Sequence, residues 1–404
     1  MNFALAATEH PSALPRICLT SGLVVHIEVT ARMDVAESAW RQLSASDNLA
    51  TPYQNYDFCA LWLRHVGEPA GMQPFIVIGR DDSGTAVFLW PLVRTTLGPC
   101  QVASYFCGNH ANFKTTLWRR DLADSIRAQD LRAILATISG NGVDVLELRN
   151  QPESWNGLPN PMRLLPSQPS PDETYGISLF GTGDEVIASH LNTDSRRKLR
   201  GKERKLAMSP GFRYVRASTA EQVDRYITEF MTQKAARLSA RGIKNAFSEP
   251  GVEDFLRAAC RHGLASGSPL IEIHALDTDD EVLALFSGVH DDRCFSTMFN
   301  SYTLSERARW SPGFTLLLKL VEDCARRGFS SLNLGIGAAE YKSSLCDLRD
   351  IQFDNFIGLT LRGRAWAVAL RMAYGAKGVI KRNPVIWNAV HSLRAKLFAR
   401  SPAR

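Results

Sequence analysis

Two periods of apolar and polar residues run through this chain. Stretches of strand length at 23–29, 73–80, 86–93, 100–107 and 143–150 are rich in β-branched and aromatic residues. Segments at 35–43, 54–65 and 125–139 place apolar residues at helical spacing instead. The same elements return later. Helical patterns at 195–208, 219–238 and 253–265 accompany strands at 212–218, 270–276, 281–290, 294–302 and 331–337, and 174–180 and 351–361 read as further strands. Asp- and Gly-bearing turns separate the strands at 81–84, 97–99, 277–280 and 291–293. The two halves share an order of two helices, a three-strand meander, a helix and a strand, and residues 54–150 match 219–337 in pattern.

The most informative stretch is Phe295 to Lys342. An aromatic strand is followed by Ser311-Pro312-Gly313, which opens a helix with apolar Leu316, Leu317, Leu320, Val321 and Cys324 on one face. Pro312 suits the first turn, where no N–H is needed, and Ser311 is the N-cap expected from the sequence. Gly328 stops the helix, and a strand ending in glycines follows. A helix N-terminus reached directly from a strand is an anion site. The matching helix of the first half is preceded by RRDLADSIRAQD, whose Asp residues repel phosphate. The anion site is therefore expected only in the second half.

The expected architecture is α+β, with mixed, mostly antiparallel sheets flanked by helices. Residues 1–33 read as a leader, 34–182 as a first domain with an acceptor or structural role, 183–361 as a second domain, and 362–404 as basic amphipathic helices. The Pro- and Ser-rich run 151–173 reads as a linker.

With 404 residues, 45% of them hydrophobic, the chain is that of a soluble globular protein. Its eight cysteines are scattered with no CxxC pair, which indicates neither a metal site nor a disulfide framework and points to a reducing, cytoplasmic compartment. The net charge of +6 is unevenly placed: residues 362–404 hold ten Lys and Arg and no Asp or Glu, and Arg196–Lys205 holds seven cations and one Glu. Such clusters suit acidic partners. The tail also carries Trp366, Trp387 and Phe398, a composition that suits a helix lying on anionic lipid at the inner membrane face, a nucleic-acid contact, or a solvated helix packed on the domain.

The basic helix SRRKLRGKERKL, the meander, the turn Arg309-Trp310-Ser311-Pro312-Gly313, the Leu316–Leu318 run and GIGAAEYK together resemble the GNAT acyltransferase core over about residues 190–350. They are similar in particular to the CelD-type proteins linked to cellulose and exopolysaccharide synthesis. The tandem arrangement is similar to Fem-type aminoacyl transferases. The resemblance implies acyl-CoA as co-substrate, held by Arg309, Trp310, Ser311, Pro312, Gly313, Phe314, Thr315 and Lys342, with no metal. It implies strands 294–302 and 331–337 splaying apart around the acyl carbonyl, and Tyr341 as general acid. Candidate bases are His290 and Glu272, beside His274; water is the alternative. The acceptor is a small molecule or a glycan presenting an amine or hydroxyl, and the loop 108–113 is a candidate for its lining. An aminoacyl-tRNA donor, which alone would bring in nucleic acid, and a non-catalytic scaffold in polysaccharide synthesis are the rival expectations.

Overall fold

The computed structural model describes residues 14–383 apart from positions 46, 241, 338 and 339. Residues 1–13 of the leader, together with Trp387 and Phe398 of the basic tail, lie outside the described residues. A single mixed sheet of fourteen strands runs through both halves. The first-half meander, Gln73–Asp81, Ala86–Leu97 and Cys100–Tyr105, continues into Val145–Gln151 through a parallel pairing. The second-half meander, Glu272–Asp277, Val282–His290 and Cys294–Tyr302, continues into Ser331–Ile336 in the same way.

Two strands join these units, and each is exchanged. Gln168–Ser178, from the end of the first half, pairs antiparallel with Ser331–Ile336 of the second. Leu348–Gly358, from the end of the second half, pairs with Val145–Gln151 of the first. The two exchanged strands pair with each other at the centre. The residues that bridge the halves are thus main-chain hydrogen-bonded across the whole molecule.

The run read as a linker therefore contains the start of a central strand. Pro169 and Pro171 cannot donate to a ladder, and the register shifts between Pro169 and Glu173 to accommodate them. The helix expected over 125–139 is present as Ala128–Ile138, with a separate short helix, Arg120–Ser125, before it. One further reading is corrected: GIGAAEYK is not all loop, since a short helix starts in it, Glu340–Leu345.

One apolar core is shared between the halves. Trp40, Phe58 and Trp62 pack in it with Phe230, Phe255 and Phe299, and the Phe58 and Phe255 rings meet edge to face at 5.3 Å. Each such ring contributes about 1.5–3 kcal/mol on full burial. On the opposite face each half keeps its own core, around Trp90 and Trp118 in the first and around Phe295 and Leu320 in the second.

Candidate active site

The parallel strands of the second half stay together for only three register pairs, Cys294–Ser331, Phe295–Leu332 and Ser296–Asn333, and then part. The cause is local. The register against Val282–His290 slips between Ser287 and Gly288, which leaves Met298 as an extra residue; a bulge of this kind bends its strand. On the other strand Gly335 takes a left-handed φ of 75°, and its amide donates to Asn333 Oδ1 at 2.8 Å. A side chain at Gly335 would meet Asn112, 2.8 Å away, which enters from the first half and donates to the carbonyl of Thr297 at 2.6 Å. Beyond the split, the facing amides and carbonyls of the two strands have no ladder partner in each other.

The split opens into a cavity of about 640 Å³, and the helix Pro312–Arg326 points its N-terminus at it through Ser311, Pro312, Gly313 and Phe314. Ser311 holds a left-handed conformation, φ 54° and ψ 54°, costing about 1–2 kcal/mol. Its hydroxyl does not cap the helix, contrary to expectation. It accepts instead from Lys202 Nζ at 2.9 Å, which ties the basic helix Thr193–Leu206 to the cavity rim.

The lining is cationic. Lys234, Arg237 and Lys342 face the space, and no Asp or Glu lines it among the described residues. Burial pushes the ammonium groups of Lys234 and Lys342 down to about 8. Lys342 Nζ donates to the carbonyls of Gly335, Ile336 and Gly337 at 3.1, 3.3 and 2.9 Å, so it also clamps the bent strand. Lys234 Nζ donates to the carbonyl of Asn300 at 3.3 Å, and Arg237 lies 3.3 Å over the Tyr302 ring. Tyr341 stands half-buried beside Asn300. Burial outweighs that hydrogen bond and pushes its phenol up to about 12, so the proton stays on at neutral pH.

A split parallel pair, a bulge and a helix N-terminus at one cavity give a fold that comparison can test. Residues 193–343 match the model of the acetyltransferase (GNAT) domain. Over that span the second half is similar to the GNAT acetyltransferase domain. A solved structure of a conserved protein of unknown function from Bacteroides thetaiotaomicron is 11% identical and aligns over 83% of this chain and 100% of its own, with a TM-score of 0.50. FemX is 9% identical over 77% of this chain and 97% of its own, with a TM-score of 0.52. At these identities the likeness is one of fold, and it extends over both halves. No curated protein matches the chain.

Within the matched residues 193–343, Ser311, Pro312, Gly313, Phe314, Tyr341 and Lys342 come together at the cavity. Arg309, Trp310 and Thr315 do not line it: Arg309 is exposed and stacks 4.8 Å from the Trp310 ring, and Thr315 is buried beneath the first turn. Arg307, the other cation of this turn, is held by Asp280 and Glu281.

Glu272 and His290 do not reach the cavity, and their expected role as bases is corrected. Glu272 receives Arg327 at 2.7 and 2.8 Å, His290 at 3.1 Å and His274 at 3.3 Å. Burial opposes the charge on Glu272, but these donors prevail and hold its carboxyl far below the usual range. Arg327 caps the far end of Pro312–Arg326, about 24 Å along the axis from Ser311. This cluster closes the helix C-terminus onto the sheet, and His290 lines a different cavity, with Ser268 and Leu270, from the one at the split.

Lys202, Lys234, Arg237 and Asn112 were not singled out by sequence reasoning. Lys234 and Arg237 fall in the helical pattern 219–238, which gave them no role. Phe230, four residues before Lys234, was the available signal, and Lys234 Nζ lies 5.9 Å from its ring. Asn112 lies in the loop proposed to line an acceptor site.

Proposed function

We propose that the second half transfers an acyl group from a thioester carried on coenzyme A to an amine or hydroxyl. The observation that carries this reading is the split strand pair whose cavity is ringed by Lys234, Arg237 and Lys342 and capped by the helix N-terminus at Ser311–Phe314. Cations and a helix N-terminus favour a phosphorylated carrier. In the reaction the acceptor nitrogen or oxygen bonds to the carbonyl carbon, the C–S bond breaks, and the thiolate takes a proton. The parted strands present backbone groups to the developing oxyanion. Tyr341, protonated at neutral pH, supplies the proton to the thiolate. With the two carboxyl and imidazole candidates committed elsewhere, water takes the proton of the acceptor. A glycan or envelope precursor is the acceptor class this reading favours, as expected from the resemblance to CelD-type proteins.

Calorimetric titration with acetyl-, succinyl- and long-chain acyl-CoA tests the donor. Heat is expected with at least one, and none with any of them sinks the reading. Gly313→Glu sharpens the result. An added Cβ meets only the Tyr302 ring at 3.4 Å, so the side chain fits. Its carboxylate at the helix N-terminus is expected to weaken donor binding at least about a hundredfold.

A second reading, an aminoacyl-tRNA donor, is favoured by one contact. Lys202 joins the exposed cations of Thr193–Leu206 to the rim, so a basic surface leads into the cavity. Retention of charged but not uncharged tRNA, with no heat from acyl-CoA, selects it. A chain unaffected in cells by both Gly313→Glu and Tyr341→Phe is a scaffold.

A further inference from the structure

The helix Leu361–Arg382 packs on Val145–Gln151 and the two exchanged strands, none of its residues lines the acyl-transfer cavity, and its outward face belongs to no core. Its inner face is tightly docked. A Cβ at Gly363 would fall 1.8 Å from the carbonyl of Asp144, Ala367 is buried, and Tyr374 stacks on Phe356 at 5.3 Å. The outer face carries Leu361, Val368, Met372 and Val379, exposed by 82, 53, 71 and 63%. Their spacings of seven, four and seven residues place all four within about 40° of arc at about 100° per residue. They form one straight apolar stripe about 27 Å long, with exposed Ala365, Ala369 and Ala376 beside it.

Cations border the stripe. Arg362, Arg364, Arg371 and Arg382 are exposed. Arg362 is also tied to Asp144 at 2.7 Å and Arg371 to the carbonyl of Phe356 at 2.7 Å, which fixes them at the margins. No Asp or Glu occurs from residue 361 to the end of the sequence.

We propose that this face docks the protein on an anionic lipid surface, with the four apolar side chains entering the acyl boundary and the arginines meeting the headgroups. The proposal goes beyond acyl transfer and does not depend on it. Charge argues for this occupant over the alternatives. A second copy paired face to face would set arginines against arginines. Residues 384–404 carry four further cations and no acid, so they would not neutralise the margins either. Anionic lipid supplies both the apolar phase and the counter-charge. No helix among the described residues is long and apolar enough to cross a membrane, so the contact lies along the surface.

Co-sedimentation of the full chain with vesicles tests this. Vesicles of equal parts phosphatidylcholine and phosphatidylglycerol are expected to bind the protein at least about tenfold more tightly than phosphatidylcholine alone, and added salt is expected to loosen it. Val368→Asp with Met372→Asp is expected to lower binding to the mixed vesicles more than about tenfold, with an unchanged melting temperature because both side chains are exposed. Equal binding to both vesicles overturns the proposal, as does a double variant that binds like the parent, which would assign the contact to residues 384–404 or to Thr193–Leu206. A parent chain that is dimeric, with a monomeric double variant and no sedimentation, would assign the stripe to a second copy.

Discussion

Each half of the chain builds the same corner, a parallel strand pair held by three register pairs with a helix in the connection, and only one corner is open. In the first half the pairs are Val102–Val145, Ala103–Leu146 and Ser104–Glu147. Beyond them the Tyr105 hydroxyl donates to Gln151 Oε1 at 2.8 Å and bridges the two strands. The N-terminus of Ala128–Ile138 is filled by its own Asp130. That carboxylate accepts from the Arg127 amide at 2.9 Å, from the Thr20 amide at 2.8 Å and from the Thr20 hydroxyl. In the second half the tyrosine stands at the mouth, no carboxylate occupies the first turn, and three cations face the gap. The difference teaches that this corner is a folding unit first. It becomes a site where its helix N-terminus and strand gap are left for a ligand to satisfy.

The two tyrosines give the largest contrast. Tyr341→Phe is expected to slow turnover by about 10²–10⁴ with donor affinity nearly unchanged, the loss of a general acid. Tyr105→Phe is expected to leave turnover alone and cost about 1 kcal/mol of stability, since it removes one buried hydrogen bond. Steady-state kinetics and thermal melting of both variants read this out, and equal effects on turnover would break the contrast.

Glu272→Gln is next. It leaves Arg327 and two histidines around a neutral group, and breaking a buried charge pair costs about 3–5 kcal/mol. The sign is set by the depressed carboxyl: the stabilisation is present at neutral pH and is lost as pH falls below the ordinary carboxylate range. Turnover per folded molecule is expected to hold. A collapse in turnover with normal melting would return Glu272 to the site.

What was legible in the sequence was whatever a local pattern carries. The meanders and the start of the helix at Pro312 follow from period and turn chemistry within a few residues. The strand exchange was not legible: 174–180 and 351–361 read as strands, but the prolines at 169 and 171 argue locally against the start of Gln168–Ser178, and no local pattern names the partners. Gln168–Ser178 takes its place from Leu348–Gly358 and Ser331–Ile336, which flank it. Glu272 and His274 share a face, as their two-residue spacing predicts, but the face points to Arg327. Side-chain direction was readable and destination was not. Ser311 was placed correctly at the N-cap, yet its hydroxyl serves Lys202, a partner 109 residues away.

A smaller effect follows from the two depressed lysines. Lys234 and Lys342 lose their charge near pH 8, below the ordinary lysine range near 10.5. Affinity for an anionic donor is therefore expected to be full below about pH 7 and to fall about tenfold as pH rises through 8 to 9. Lys234→Arg, which stays charged, is expected to flatten part of that fall. Calorimetry across this range in both proteins checks it; a dependence centred near 10 would mean that the cavity cations are as well solvated as surface lysines.

The smallest effect is the one that tests whether the closed corner is closed for structural reasons alone. Asp130→Asn keeps the shape of the side chain but removes the charge that meets the helix N-terminus, the Arg127 amide and Thr20. Loss of such a cap costs about 0.5–2 kcal/mol, and the hairpin of Arg16–Cys18 and Val24–Thr30, whose turn is held through Thr20, is expected to loosen with it. Donor affinity and turnover are expected to stay as in the parent, because the nearest ladder between the corners runs through both exchanged strands, and these do not depend on Asp130. Should the variant instead gain a second molar equivalent of donor in calorimetry, the carboxylate would be the element that keeps an otherwise competent first half empty. The two corners would then differ by one charge rather than by the whole lining.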